Sequence, residues 1–220
     1  MKPQTYTALI VEEPRKNEFT QTVTSASVAD LPENEVLVRV AYSSLNYKDA
    51  LSATGNRGVT RSYPHTPGID AAGTVADSTV DHVRKGEKVI VTSYDLGMNT
   101  PGGFGQYIRV PADWVVKLPA GLDLKQSMVW GTAGFTAGMS VNRLIEKVKP
   151  DQGPVLVTGA TGGVGSLAAG ILSHLGYTVH AVTGKKETGF LTALGVEDII
   201  ERQAFLENTK PVMLKAQWAG

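Results

Sequence analysis

Around residue 160 the chain reads Pro154-Val155-Leu156-Val157-Thr158, then Gly159-Ala160-Thr161-Gly162-Gly163-Val164-Gly165, then a segment with apolar residues at helical spacing. A short, continuously apolar run is the mark of a strand buried in a parallel sheet. Val164, Ala168, Ile171 and Leu175 fall on one stripe of the following helix, and Gly176 is its stop. Glycines let the backbone turn tightly and approach an anion, while N–H groups at the helix start point at it. The junction is therefore expected to hold a dinucleotide pyrophosphate on Thr161, Gly162, Gly163 and Val164. The pattern departs from G-x-G-x-x-G because Ala160 occupies the first glycine position. Glycine strings also serve plain turns and close helix packing, so the strand before and the helix after give this one its meaning.

The alternation continues on both sides. Ala137, Val141, Leu144, Ile145 and Val148 recur at helical spacing from Gly131 and stop before Pro150. Thr178 to Thr183 is the next strand, a helix with Phe190, Leu191 and Leu194 ends at Gly195, and Asp198 to Glu201 begins a third strand. Strand, helix, strand, helix, strand predicts an α/β domain with a doubly wound sheet. Before residue 120 the grammar differs. Val36, Val38 and Val40 alternate with Leu37, Arg39 and Ala41 at the strand period. Gly73 to Val75, Glu87 to Thr92 and Gln106 to Val110 repeat the theme between turn-rich clusters. The chain thus divides into a β domain over 1–125 and a nucleotide domain over 126–220.

The end of the second strand selects the nucleotide. A site for NAD usually carries an acid there, hydrogen-bonded to the ribose. Here the sequence is Thr183-Gly184-Lys185-Lys186, with no acid before Glu187. A hydroxyl, a glycine and two lysines suit a 2′-phosphate, so Thr183, Gly184 and Lys185 are expected to bind it and NADP(H) is the expected cofactor. An exposed lysine contact contributes only about 0.2–1 kcal/mol, and the missing carboxylate matters as much as the lysines.

Charge and composition exclude other classes. With 21 basic and 21 acidic residues and no basic run, nothing draws the chain to nucleic acid or an acidic membrane. The absence of cysteine removes disulfides and every thiolate zinc site. The first residues lack the uninterrupted apolar core of a signal peptide, and a soluble, cytoplasmic protein is expected.

Several segments, taken in order, resemble the medium-chain dehydrogenase/reductase superfamily. Pro67-Gly68-Ile69-Asp70-Ala71-Ala72-Gly73-Thr74-Val75, Lys85-Gly86-Glu87-Lys88-Val89 and Gly102-Gly103-Phe104-Gly105-Gln106-Tyr107 match its motifs. Ser43 to Leu51, Gly131 to Ala137 and Val157 to Ser166 look specifically like its zinc-free YhdH/YhfP branch, the quinone oxidoreductase and acrylyl-CoA reductase type. The resemblance implies a GroES-like fold for the first domain, a Rossmann fold for the second, and a homodimer for the full-length family. It also implies NADPH-dependent reduction of a small molecule, either a quinone or an α,β-unsaturated carbonyl such as an enoyl-CoA. A zeta-crystallin-like quinone reductase and an NADPH-binding module without turnover are the alternatives.

In the zinc-dependent members of that superfamily, the cysteine and histidine ligands would align with Asn46 and Ile69, and neither residue can replace them. His65, His82, His174 and His180 show no ligand spacing, so no metal is expected. Without a Lewis acid, conjugate addition of hydride is the accessible chemistry, and the protein must supply hydrogen bonds to the developing oxyanion. Asn46 and Tyr47, in the loop where relatives hold zinc, are the expected donors. The resemblance also places Tyr47 and Thr136 against the cofactor. A carboxylate beside an enolate would oppose the reaction, so Asp70 is expected to orient Asn46 or a ribose hydroxyl. Finally, Gln217-Trp218-Ala219-Gly220 would lead into the fourth strand of the resembled domain, whose second half this chain is expected to lack.

Overall fold

The computed structural model describes residues 4–208 and 217–220. Two compact units divide between Thr132 and Ala133, seven residues beyond the expected boundary at 125/126.

In the first unit, β1 (Thr5–Arg15) and β2 (Glu18–Ser27) form an antiparallel hairpin. A five-stranded antiparallel sheet follows, built from β3 (Val36–Tyr42), β4 (Asp70–Ser78), β5 (Lys88–Thr92), β6 (Tyr107–Val110) and β7 (Val115–Lys117), in the order β6-β3-β4-β5-β7. The strand period of β3 has its physical outcome here. Val36 and Val38 enter the main core with Val75, Val89, Val91 and Ile108, while Leu37 turns the other way to join Tyr6, Ala8, Val28 and Leu31. Each such buried aliphatic side chain contributes about 1.5–3 kcal/mol, so two faces of one strand secure the sheet and the hairpin together. A short helix, α1 (Tyr47–Ala53), leaves the loop after β3.

In the second unit a three-stranded parallel sheet has the order β10-β9-β8, from β8 (Val155–Thr158), β9 (Val179–Thr183) and β10 (Asp198–Glu201). The helices are α2 (Leu124–Ile145), α3 (Gly163–His174), α4 (Gly189–Ala193) and α5 (Arg202–Asn208), the first of which begins in the preceding unit. Val155, Val157, Ala169, Leu172, Val179, Ala181 and Leu191 form the core. The stripe expected on α3 is only half correct. Ala168 and Ile171 pack inward, but Val164 and Leu175 are exposed, and the buried face centres on Ala169 and Leu172. Small residues recur all round this helix, so the apolar pattern alone leaves its rotation undetermined.

Two hydrogen bonds continue the sheet past β8: Ala219 N donates to Pro154 O (2.9 Å) and Leu156 N donates to Gly220 O (2.8 Å). Because Val155 N donates to Thr178 O on the β9 side, Ala219 and Gly220 lie along the opposite edge, where a fourth strand is expected. No helix among the described residues is long and apolar enough to cross a membrane.

Candidate functional site

The polar loop of the first unit is organised by two buried carboxylates. Asp49 is 2% exposed and accepts the backbone amides of Asn46 (2.7 Å) and Ile69 (2.9 Å). The first bond closes the start of α1, and the second ties it to the residue preceding β4. Burial pushes the Asp49 carboxyl above its usual range, against the opposing pull of these two N–H groups.

Asp70, wholly buried at the start of β4, gathers four donors. Its Oδ2 accepts the Ser44 hydroxyl, Asn46 Nδ2 (2.9 Å) and the Thr132 amide (2.9 Å), and its Oδ1 accepts the Thr132 hydroxyl (2.6 Å). Asn46 Nδ2 also donates to Ser44 Oγ (2.8 Å), and Ser93 and Thr132 share a hydroxyl contact of 3.1 Å. A hydroxyl carries one proton, and a carboxylate oxygen only accepts. The direction therefore runs from Ser93 through Thr132 to Asp70, and from Asn46 through Ser44 to the same carboxylate.

Asn46 Nδ2 lies within hydrogen-bond distance of both Ser44 Oγ and Asp70 Oδ2, which touch each other, so one amide hydrogen of Asn46 serves both and its second hydrogen is left to donate. Tyr47 differs: it is the first residue of α1 and is 80% exposed, with its phenol in solvent. Asn46 and Asp70 are thus hydrogen-bonded to each other, and Tyr47 follows Asn46 in the chain as an exposed side chain.

Ser44, Gly131 and Thr132 complete this network and are not readable as site residues from sequence. Gly131 interrupts α2 with φ 49° and ψ −157°, and a Cβ there would lie 2.7 Å from Asp70 Oδ2 and 3.0 Å from Ser44 Oγ. Only glycine can stand at this point. In the sequence Gly131 only marks where helical spacing begins, which does not name the carboxylate behind it.

In the second unit the glycine loop closes as a cradle. Gly159 takes φ 60° and its carbonyl accepts from Gly162 N (2.9 Å). The left-handed turn is thus made one residue before the motif's usual first glycine, which lets the buried Ala160 join the core instead. A Cβ on Gly165 would press into the Gly159 carbonyl, so this glycine is needed for close helix–strand packing. Gly162, Gly163 and Val164 are exposed at the start of α3, where the first amides of a helix have no intrahelical acceptor. These residues fit a diphosphate. Above the loop, a groove of about 560 Å³ runs beside β8, with Leu144, Leu156, Gly162 and Val164 among its walls.

Thr161 Oγ1 meets Thr183 Oγ1 at 2.9 Å, joining the loop to the end of β9, and Lys185 N donates to Thr183 Oγ1 (3.1 Å). Thr183 is only 2% exposed, so it braces the loop while Gly184 and Lys185 face solvent. Thr136 lies half-buried in α2, where its carbonyl accepts from Ser140.

Among the described residues no group of three or more acids or histidines is placed to hold a metal ion. His82 and His174 are exposed, and His180 sits half-buried near Asp198 and Trp218. His65 is 6% exposed, and its Nε2 has no hydrogen-bond partner among the described residues. Burial pushes its imidazole below the ordinary value of 6.5, so the unfolded chain takes the proton more readily than the folded one. Stability from this residue is complete above about pH 6.5 and erodes as the pH falls from there toward the lowered folded value. In urea titrations between pH 7.5 and 5, His65→Gln is expected to flatten that decline, and an unchanged slope would exclude His65 as its source.

Comparison with known proteins matches residues 32–120 to the alcohol dehydrogenase GroES-like domain. The acrylyl-CoA reductase AcuI of Ruegeria pomeroyi is 47% identical over 218 residues, which cover 98% of this chain and 66% of that protein. The YhdH oxidoreductase of Salmonella enterica, crystallised in complex with NADP, superposes with a TM-score of 0.91 at 42% identity, over 97% of this chain and 65% of that one. YhfP of Bacillus subtilis, crystallised with NAD bound, gives a TM-score of 0.92 at 44% identity, over 98% and 66% respectively. The chain therefore spans just under two thirds of the length of these relatives.

Proposed function

The chain belongs to the medium-chain dehydrogenase/reductase superfamily, and from that premise we propose that it is part of an NADPH-dependent, zinc-independent reductase of α,β-unsaturated carbonyl compounds, with enoyl thioesters and quinones as the acceptor classes. The observation that carries the reading is the glycine cradle at the start of α3, facing an end of β9 that holds no acid. Thr161, Gly162, Gly163 and Val164 would hold the diphosphate, and Gly184 and Lys185 the adenosine end. A bound nicotinamide supplies a hydride.

The work of the first unit is to place and polarise the acceptor. Tyr47 is the exposed donor beside the network, and its O–H stabilises negative charge as it develops on the acceptor oxygen. Asn46 begins α1, and its second amide hydrogen would join Tyr47 as a donor to the acceptor oxygen. Asp70 accepts from four neutral donors, so both of its oxygens are turned to the network it holds in place. Zinc independence is supported by the side chains at the positions of the lost ligands: Asn46 is committed to Asp70, and Ile69 is a buried alkyl group.

Calorimetry with NADPH, together with NADPH absorbance at 340 nm against enone, quinone and enoyl-CoA acceptors, tests the proposal. Binding with turnover supports it, binding without turnover reduces the chain to a nucleotide-binding module, and no binding by folded protein sinks it. Tyr47→Phe is expected to lower turnover by about a hundredfold, as the loss of one oxyanion donor does, with NADPH affinity little changed. Unaltered turnover would remove Tyr47 from the mechanism.

A further inference from the structure

Helix α1 carries Tyr47 on its first turn, and its two ends are held from different sides. At the start, Asp49 ties it to the amides of Asn46 and Ile69. At the end the chain turns at Gly55 with φ 85°, and a Cβ there would run into the Phe19 ring of β2. The ring rests on the backbone that closes the helix. Phe19 and Tyr63 meet with ring centroids 4.9 Å apart, and the Arg57 guanidinium lies over both rings, at 5.6 Å and 5.1 Å from their centroids. Arg57 Nη2 pairs with Glu13 of β1, and Nη1 donates to the Arg61 carbonyl (2.8 Å). One planar cation thus joins both strands of the N-terminal hairpin to the segment after α1.

That segment in turn holds the helix. The Tyr63 hydroxyl donates to the Ser52 carbonyl (2.7 Å), and the buried Ser52 and Thr60 hydroxyls meet at 2.7 Å. From β2, Gln21 Nε2 donates to the Ala53 carbonyl (2.8 Å). The last carbonyls of a helix are left for outside donors, and here the hairpin and Tyr63 supply them. With seven residues, α1 makes only about two turns, so a shift at its end is carried to its start. The Arg57 and Glu13 side chains are 45% and 20% exposed, and so open a pair adds little to global stability.

We propose that Arg57 is a positioning residue for the reaction. By locking the hairpin onto the segment after α1, it fixes the helix that presents Tyr47 to the acceptor. It acts from the opposite end of that helix, and the assignment rests on the donor role given to Tyr47 above.

The test is turnover of NADPH with a saturating enone acceptor on the full chain, arranged as a double-mutant cycle with Tyr47→Phe. Arg57→Ala is expected to lower turnover about tenfold, less than a misplacement of about 1 Å can cost. The KM for NADPH stays within about twofold, and the urea midpoint is little changed. In the Tyr47→Phe background the same substitution has little further effect, because the group it positions is gone. Arg57→Lys keeps the charge beside Glu13 without the fork that also reaches Arg61, and it restores part of the turnover. Tyr63→Phe, which removes a single hydroxyl and keeps the rings and the cation, lowers turnover in the same direction should Arg57→Ala fail to fold. Unchanged turnover in Arg57→Ala and Tyr63→Phe, or a tenfold loss repeated in full without the Tyr47 hydroxyl, overturns the assignment. Normal turnover in Tyr47→Phe alone, or none in the unaltered chain, is a failure of the functional reading and removes this assignment with it.

Discussion

Gly131→Ala is expected to destabilise the first unit by about 3 kcal/mol or more, the sum of backbone strain and overpacking. The residue occupies φ 49° and ψ −157°, a region that side chains exclude. A methyl group would arrive 2.7 Å from Asp70 Oδ2 and 3.0 Å from Ser44 Oγ. Those atoms cannot retreat cheaply, because both belong to the hydrogen-bonded network around a wholly buried carboxylate. Either the backbone leaves its conformation, which withdraws the Thr132 amide from Asp70, or the network opens. Urea denaturation followed by circular dichroism measures the loss. A midpoint equal to that of the unaltered protein would mean that the network yields freely, and the account of the site as a rigid frame would be wrong.

The second large effect concerns Asp70 itself. Asp70→Ala removes the wholly buried carboxylate that four donors share. Unsatisfied buried donors cost about 1–3 kcal/mol each, and entering water recovers part of this, so a net loss of about 3–5 kcal/mol is expected. Asp70→Asn keeps the shape but turns an N–H₂ toward donors, and it should lose most of that stability too. In the same variant the Asn46 side chain is released, so turnover should fall while nucleotide affinity stays close to normal. A fully stable Asp70→Asn with normal turnover would show that the carboxylate has no positioning role.

The two-unit organisation could be read from the sequence because it is local. Periods of two and of 3.6 differ over a handful of residues, and the alternation of strand and helix puts a strand at Asp198–Glu201, after the stop at Gly195, where β10 lies. The glycine cradle was equally visible, since its strand, loop and helix are contiguous. The N-terminal hairpin escaped because β2 is exposed along most of its length, which leaves no alternation to detect. The rotation of α3 escaped because alanines and glycines fill several of its faces. The site network was hidden for a different reason. Ser44, Asp70 and Thr132 are brought together across separations of 26 and 62 residues, and nothing in a hydroxyl or a glycine announces which distant carboxylate it meets.

The break in α2 has a practical consequence. Helical hydrogen bonding begins anew after Gly131, so the Thr132 amide is released to Asp70 together with its hydroxyl. Thr132 is also the last residue of the first unit. A fragment cut at residue 125, where the sequence pattern alone draws the line, would therefore strip the buried carboxylate of two of its four donors. Anyone seeking to express the β half alone would have to carry the chain through the first turn of what looks like the neighbour's helix.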